Sequence, residues 1–205
     1  MSNSNYNHKN KRILQIIPNM EIGGAERTVL EVTSFLKKTD YTSIVLTSGG
    51  KLIEDLEKLN IEVIKYPIDK KNPFSIIKNI FKLKKIFLEN KIDLVHVRSR
   101  APAWSAIFAA RIISLPILTT WHGHAIKSSW LKKMYNSIMY RGDALIANSS
   151  YTAKSINKIY NIGEDKIDII PRGVDIDKFK PQNFSNQDII NIRKKWNIND
   201  PKKII

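Results

Sequence analysis

The chain has 205 residues, enough for one large or two small domains at about 100 to 200 residues each. With 42% hydrophobic against 26% charged residues it can bury a core, which excludes a disordered or fibrous chain. Lys and Arg number 34 against 19 Asp and Glu, a net charge of +15 that either favours anionic partners or reflects the Ile-, Lys- and Asn-rich bias of an AT-rich genome, and the absence of cysteine excludes a disulfide scaffold, a thiolate metal site and cysteine catalysis.

In chain order, residues 1–11 (MSNSNYNHKNK) are polar and basic with no apolar signal segment, so they read as a mobile tail of a cytoplasmic protein. Short apolar strands then alternate with segments of helical period. The expected strands are Ile13–Ile17, Ser43–Thr47, Glu62–Tyr66, Leu94–Val97, Ile117–Thr120, Ala144–Ala147 and Ile167–Ile170. Most are apolar on both faces, as strands are when helices cover both sides of a parallel sheet. The helices between them are expected at Ala25–Lys38, Leu52–Leu59, Pro73–Asn90, Ala101–Ile113, Ser129–Arg141 and Thr152–Tyr160. Pro73 suits a first helical turn, Ser150 stands as an N-cap, and Gly142 stands where a helix end wants positive φ. The apolar run Ala101–Thr120 has the length of a membrane span, but Arg111 and Pro116 split it into a helix and a strand. Repeated βα units of this kind predict an α/β fold: a Rossmann-like, doubly wound parallel sheet with right-handed crossovers.

After Ile170 the pattern changes. Pro171, Pro181 and the polar stretch Gln182–Gln187 suggest a linker, followed by an amphipathic helix at Asp188–Trp196 and, at Lys202–Ile205, the opening of a further strand. The chain is expected to stop partway into a second domain.

Candidate chemistry gathers at the carboxyl ends of strands, where open α/β sheets bind ligands. Gly23 and Gly24 follow the first strand and open a helix, so backbone N–H groups and the positive dipole end can meet an anion, most naturally a diphosphate. A Gly-rich turn that only packs the helix close is the alternative, since GG is neither dinucleotide nor P-loop fingerprint. Arg98 and Arg100 end the fourth strand, and His122 and His124 end the fifth. A near-neutral imidazole at His122 can donate to or accept from a hydroxyl or phosphate. His96, inside its strand, reads as a satisfied buried residue. The pair His122 and His124 has no neighbouring carboxylate to complete a metal site.

Other patterns read as coincidence. Glu54 and Glu62 are spaced E-x7-E but lie on a helix and a strand, Arg141-Gly142-Asp143 occupies a helix end leading into a buried strand, and no GxSxG is present. Pro73–Lys91 combines Phe74, Ile77, Ile80, Phe81, Leu83 and Phe87 at helical spacing with Lys78, Lys82, Lys84 and Lys85. It is either a core helix with a solvated Lys face or a surface for anionic lipid. No nucleic-acid-binding signature accompanies the charge.

Taken together, GGAER, VHVRSRAPAWSA, TTWHGH, GDALIANSSYTAKSI and IIPRGVDIDKFKP resemble the amino-terminal half of family 4 retaining glycosyltransferases of the GT-B fold, over roughly Ile13–Pro181. The RSRAPAWSA wording is most similar to bacterial enzymes of lipopolysaccharide or surface-glycan synthesis. The resemblance implies a domain at 12–181 on the acceptor side. Residues 182–205 would then be the linker helix and first strand of a truncated carboxyl-terminal donor-binding domain. It implies transfer from a nucleotide-sugar donor to a glycolipid or oligosaccharide acceptor with retention, without an essential metal or other cofactor. Gly23 and Gly24 would touch the donor diphosphate, and His122 would be the catalytic cleft histidine near the transferred sugar. Arg98, Arg100 and His124 would lie on the acceptor side, and Arg172, Gly173 and Asp175 would form the turn leading to the hinge, where Arg172 stands in place of the commoner Asn. The family's basic pair and its own E-x7-E motif belong to the second domain. The other reading is a non-catalytic truncated module that binds a partner, an acceptor or an anionic membrane. GT-B epimerases come third. The enzyme would be cytoplasmic, possible membrane contact being peripheral, on the inner face of the plasma membrane, with no nucleic-acid partner.

Overall fold

The structure is a computed structural model that describes residues 10–123, 125, 129–177 and 179–198. The expected tail and the expected terminal strand at Lys202–Ile205 fall outside these residues, the tail apart from its last two positions.

Seven parallel strands form one sheet: β1 (Arg12–Ile16), β2 (Thr42–Thr47), β3 (Glu62–Lys65), β4 (Leu94–Val97), β5 (Ile117–Trp121), β6 (Ala144–Ala147) and β7 (Asp168–Ile169). Their spatial order is β3-β2-β1-β4-β5-β6-β7, so the winding reverses between β1 and β4. The connecting helices are α1 (Gly24–Leu36), α2 (Ile53–Lys58), α3 (Pro73–Glu89), α4 (Arg100–Ile112), α5 (Trp130–Asn136) and α6 (Ser150–Tyr160). The fold is thus the doubly wound α/β sheet that the alternating pattern predicts.

Strand alternation divides the core. Ile17 and Val45 pack with Val29 of α1 and with Leu52, Ile53 and Leu56 at α2. Leu14, Ile16, Ile44, Leu46, Val95 and Val97 join Leu83, Ile86 and Phe87 of α3 and the alanines of α4 in the larger cluster. Small residues on α4 (Ala103, Ala106, Ala110, all buried) let that helix lie close to the sheet, and the stretch once long enough for a span resolves into α4, a turn at 113–116 and β5. Among the described residues no helix is long and apolar enough to cross a membrane.

Local punctuation matches in part. Asn72 caps α3 by accepting from the Ser75 N–H at 2.8 Å, with Pro73 in the first turn. The cap of α6 is Ser149, which accepts from Thr152 N–H at 3.1 Å, rather than Ser150, which is already helical. Ser129–Arg141 splits into α5 and a 3-10 turn at Ser137–Tyr140. Gly142 does not adopt positive φ. It is small because a Cβ would come within 3.0 Å of the Ile117 carbonyl oxygen. Asp143, beside it, accepts from the Ile117 N–H at 2.8 Å, so the Arg-Gly-Asp tripeptide is a structural corner. Glu62 pairs with Arg12 at 3.4 Å and plays no part in a site with Glu54.

The chain divides into two compact units, one ending at Pro171 and one beginning at Arg172. The second holds a 3-10 turn at Pro181–Asn183 and α7 (Asn186–Lys195), whose start is fixed by a capping box between Ser185 and Asp188.

Candidate active site

The turn from β1 into α1 is clamped by the turn after β2. Met20 N–H donates to the Gly49 carbonyl at 2.6 Å, Leu52 N–H donates to the Met20 carbonyl at 2.8 Å, and Ser48 N–H donates to the Pro18 carbonyl at 2.8 Å. Gly50 sits at φ +128°, and a Cβ there would collide with the Met20 backbone, so only glycine allows this approach. Held this way, the chain passes extended Gly23 and enters α1 at Gly24. No side chain caps α1, which leaves first-turn N–H groups available to an anion. One carboxylate is already close: a Cβ on Gly23 would meet the Glu26 side chain.

A buried polar chain crosses the sheet at the point where the winding reverses. Gln15, on β1, donates from Nε2 to Thr33 of α1 and, at 3.2 Å, to Ser43 of β2. Its Oε1 accepts from Arg98 Nε at 3.2 Å and from an Arg98 terminal nitrogen at 2.8 Å. The same terminal nitrogen lies 3.3 Å from His96 Nδ1, and His96 Nε2 lies 2.7 Å from Thr120 Oγ1. A guanidinium can only donate, so His96 must accept at Nδ1 and carry its proton on Nε2, from which it donates to Thr120. Burial, then the charges of Arg98 and His122, hold the His96 pKa well below the ordinary histidine value, in agreement with a neutral ring.

Beyond this chain lies a small cleft of about 60 Å³ between the carboxyl ends of β4 and β5, lined by Arg98, Arg100, Trp121 and His122 among others. His122 follows β5 and is half-buried, with Nε2 shielded from solvent. Arg100 opens α4 with its guanidinium carbon 5.1 Å from the centre of the Trp121 ring. Trp121 in turn meets Tyr160 at 5.3 Å, and the Lys133 ammonium lies 5.8 Å from the Tyr160 ring. Arg100 Nε, Trp121 Nε1 and the Tyr135 hydroxyl are buried with no hydrogen-bond partner among the described residues. Burial pushes the Tyr135 phenol above its ordinary pKa, so it remains a protonated donor.

The structure therefore brings Arg98, Arg100 and His122 to one cleft. It places Gly23 and Gly24 at the end of β1, the strand beside β4. Arg98 is 5% exposed, and its guanidinium is engaged by Gln15 and His96. His124 lies outside the described residues. Arg172, Gly173 and Asp175 belong to the second unit, where Gly173 has open space around it. Sequence reasoning missed Gln15, Thr33, Ser43 and Thr120. The one available signal was a lone Gln inside the apolar strand ILQII.

Comparison with known proteins follows the same lines. A glycosyltransferase from Rickettsia africae ESF-5 of known crystal structure is 35% identical, superposes with a TM-score of 0.79, and aligns with 96% of this chain and 51% of its own. The UDP-Gal:alpha-D-GlcNAc-diphosphoundecaprenol alpha-1,3-galactosyltransferase of Escherichia coli is 25% identical over 174 residues, covering 78% of this chain and 44% of that protein. The alpha-monoglucosyldiacylglycerol synthase of Streptococcus pneumoniae is 19% identical over 201 residues, covering 90% and 45%. The chain thus spans about half the length of each of these relatives. The model of Glycosyltransferase Family 4 matches residues 22–178, most of the described sheet, and the chain belongs to that family.

Proposed function

We propose that this chain forms the acceptor-side half of an enzyme that moves a sugar from a nucleotide-sugar donor to a glycolipid or lipid-linked oligosaccharide, with retention at the anomeric carbon, in bacterial surface-glycan synthesis. The observation that carries this reading is the convergence of His122, Arg98 and Arg100 on one cleft at the end of β4 and β5, while the uncapped α1 follows β1, the neighbour of β4 in the sheet. The first-turn N–H groups after Gly23 and Gly24 would receive the donor diphosphate, where the helix dipole stabilises charge on the leaving group. His122 would hydrogen-bond the transferred sugar. Arg100 and His124 would face the acceptor, with Arg98 acting from the interior by fixing His96 and the end of β4. Arg172, Gly173 and Asp175 would lead to the hinge of a donor-binding half, and no step needs a metal.

The names of the relatives support the two substrate classes: the Escherichia coli enzyme is named for UDP-Gal and a diphosphoundecaprenol-linked sugar, and the Streptococcus pneumoniae enzyme for a glucosyldiacylglycerol. A peripheral position on the inner face of the plasma membrane fits α3, whose Phe74 (86% exposed), Ile77, Phe81 and Leu88 face outward beside Lys78, Lys82 and Lys85.

The test joins this chain to the carboxyl-terminal half of the Rickettsia africae relative and measures transfer from labelled UDP-sugars to lipid acceptors. Product is expected, and His122→Ala should lower kcat/KM by about ten-fold or more with unchanged folding, the worth of one charge-assisted hydrogen bond. A folded fusion that transfers nothing would return the chain to the class of non-catalytic binding modules.

A further inference from the structure

Another concavity of the first unit lies away from the cleft. It is a groove of about 790 Å³ between α5 and α6, lined by Ala125, Lys133, Tyr151, Lys154, Ser155, Lys158 and Ile159. That volume is within the range of small-molecule sites. Its chemistry has two halves. Lys154 and Lys158 stand one turn apart on α6, and Lys133 faces them from α5. No carboxylate is among the described lining residues. Like charges at this spacing destabilise a helix, so the groove holds a positive cluster that an anion would relieve. The second half is apolar. On α5, Trp130 (70% exposed), Leu131 and Met134 all face solvent, and Trp130 shares a helix face with Lys133 and Met134 by its three- and four-residue spacing.

The groove also adjoins the cleft. Ala125, on its floor, lies three residues beyond His122, and its N–H donates to Ser155 Oγ on α6 at 2.8 Å. Arg100, Trp121, Tyr160 and Lys133 make one continuous cation and ring stack from cleft wall to groove wall, at 5.1, 5.3 and 5.8 Å.

We propose that the α5–α6 groove binds the lipid phosphate end of the acceptor as a single molecule, with the phosphate or diphosphate at Lys133, Lys154 and Lys158 and the first part of the hydrocarbon chain against Tyr151 and the exposed face of α5. A nucleotide fits less well, since the groove offers an apolar exit along α5. A flat bilayer cannot fill a concave site between two helices. Calling the ligand the acceptor rests on the proposed glycosyl transfer; the binding itself rests on the groove alone.

The test uses the 205-residue chain and calorimetry with farnesyl diphosphate below its aggregation limit, farnesol and inorganic diphosphate, with the double variant Lys154→Gln/Lys158→Gln. Both lysines are exposed, so the fold is retained, as circular dichroism would verify. Farnesyl diphosphate should bind saturably, and each half-ligand at least about ten-fold more weakly. The double variant should lose about ten-fold or more for farnesyl diphosphate and nothing for farnesol, and excess UDP should not compete. Equal affinity in the variant, inorganic diphosphate binding as well as the lipid form, displacement by UDP, or binding only to phosphatidylglycerol vesicles would each overturn the proposal. Because no transfer is measured, a failure here is separable from a failure of the glycosyltransferase reading, which the fusion assay scores independently.

Discussion

Gln15 is the residue whose replacement should reveal most about how the site is held. Its Oε1 takes two bonds from Arg98, and its Nε2 supplies Thr33 and Ser43, all in the interior. Arg98 cannot shed its charge at any accessible pH, so Gln15→Leu leaves a buried guanidinium with two bonds fewer. Bonds to a charged donor are worth about 1.5 to 3 kcal/mol each, though two that share one oxygen do not add in full. Breaking a buried charged contact costs roughly 3 to 5 kcal/mol, and the better burial of Leu returns part of it. A loss of about 3 kcal/mol is therefore expected in urea unfolding followed by tryptophan fluorescence. Gln15→Glu is the control. A carboxylate accepts from Arg98, and the hydroxyls of Thr33 and Ser43 can turn to donate to it, so at pH 7 this variant should stay within about 1 kcal/mol of the parent. Its carboxyl would be depressed in the folded state, so that stability would be present above the unfolded pKa and lost as pH falls through the folded one. If Gln15→Leu costs less than about 1 kcal/mol, the network does not hold Arg98 and the account of the sheet centre is wrong.

Four further outcomes follow from other contacts. His96 is depressed in the fold, so the unfolded chain binds more protons below its ordinary value near 6.5; stability should fall on acidification from pH 7 toward 5, by up to ~1.4 kcal/mol per unit, and His96→Gln should flatten that slope in pH-dependent denaturation. Asp93 is lowered first by the Arg12 N–H it accepts from and then by Lys11, so its contribution is present above about pH 4 and lost only below, which keeps the two windows apart. Glu26→Gln removes the carboxylate beside Gly23 and should tighten UDP or diphosphate by a few-fold, the worth of one charge at a helix start, read by calorimetry; unchanged affinity would mean the anion does not sit there. Phe74→Ser/Phe81→Ser should weaken flotation on anionic vesicles with no effect on folding, and the parent's binding should itself fall as salt rises, because exposed charge is screened over ~10 Å at 0.1 M.

The sheet was legible because parallel strands covered on both faces are apolar runs, and each run from Ile13 to Ile170 lies within a residue or two of a strand. Placing the charged residues at strand ends was legible for the same reason, since Arg98 and His122 follow directly on β4 and β5. What stayed hidden depends on pairing across the sheet. Nothing local in the sequence says that β1 lies beside β4, so the meeting of Gln15 with Arg98, 83 positions apart, is invisible until the order is known. The glycines illustrate the same limit: Gly142 looked like a positive-φ helix end but is small because the Ile117 carbonyl passes over it, whereas Gly50, unremarked in the sequence, is the one pressed against Met20.

The order of the strands also explains why the two candidate ligand ends can be served without crowding. The turn into α1 leaves β1, the cleft lies between β4 and β5, and the basic groove lies between helices that follow β5 and β6. The proposed ligands would follow that strand order as anion, reacting sugar and lipid phosphate, with neighbouring strands about 4.8 Å apart. Two anions kept at opposite ends of such a row repel one another less than two anions in one pocket. The positive charge is likewise divided, between the first turn of α1 and the lysines of α5 and α6, with Arg100 on Trp121 in the middle. A rigid row of this kind needs a floor that does not yield, and the bonded chain from Thr33 through Gln15, Arg98 and His96 to Thr120 spans the strands on which the first two sites stand.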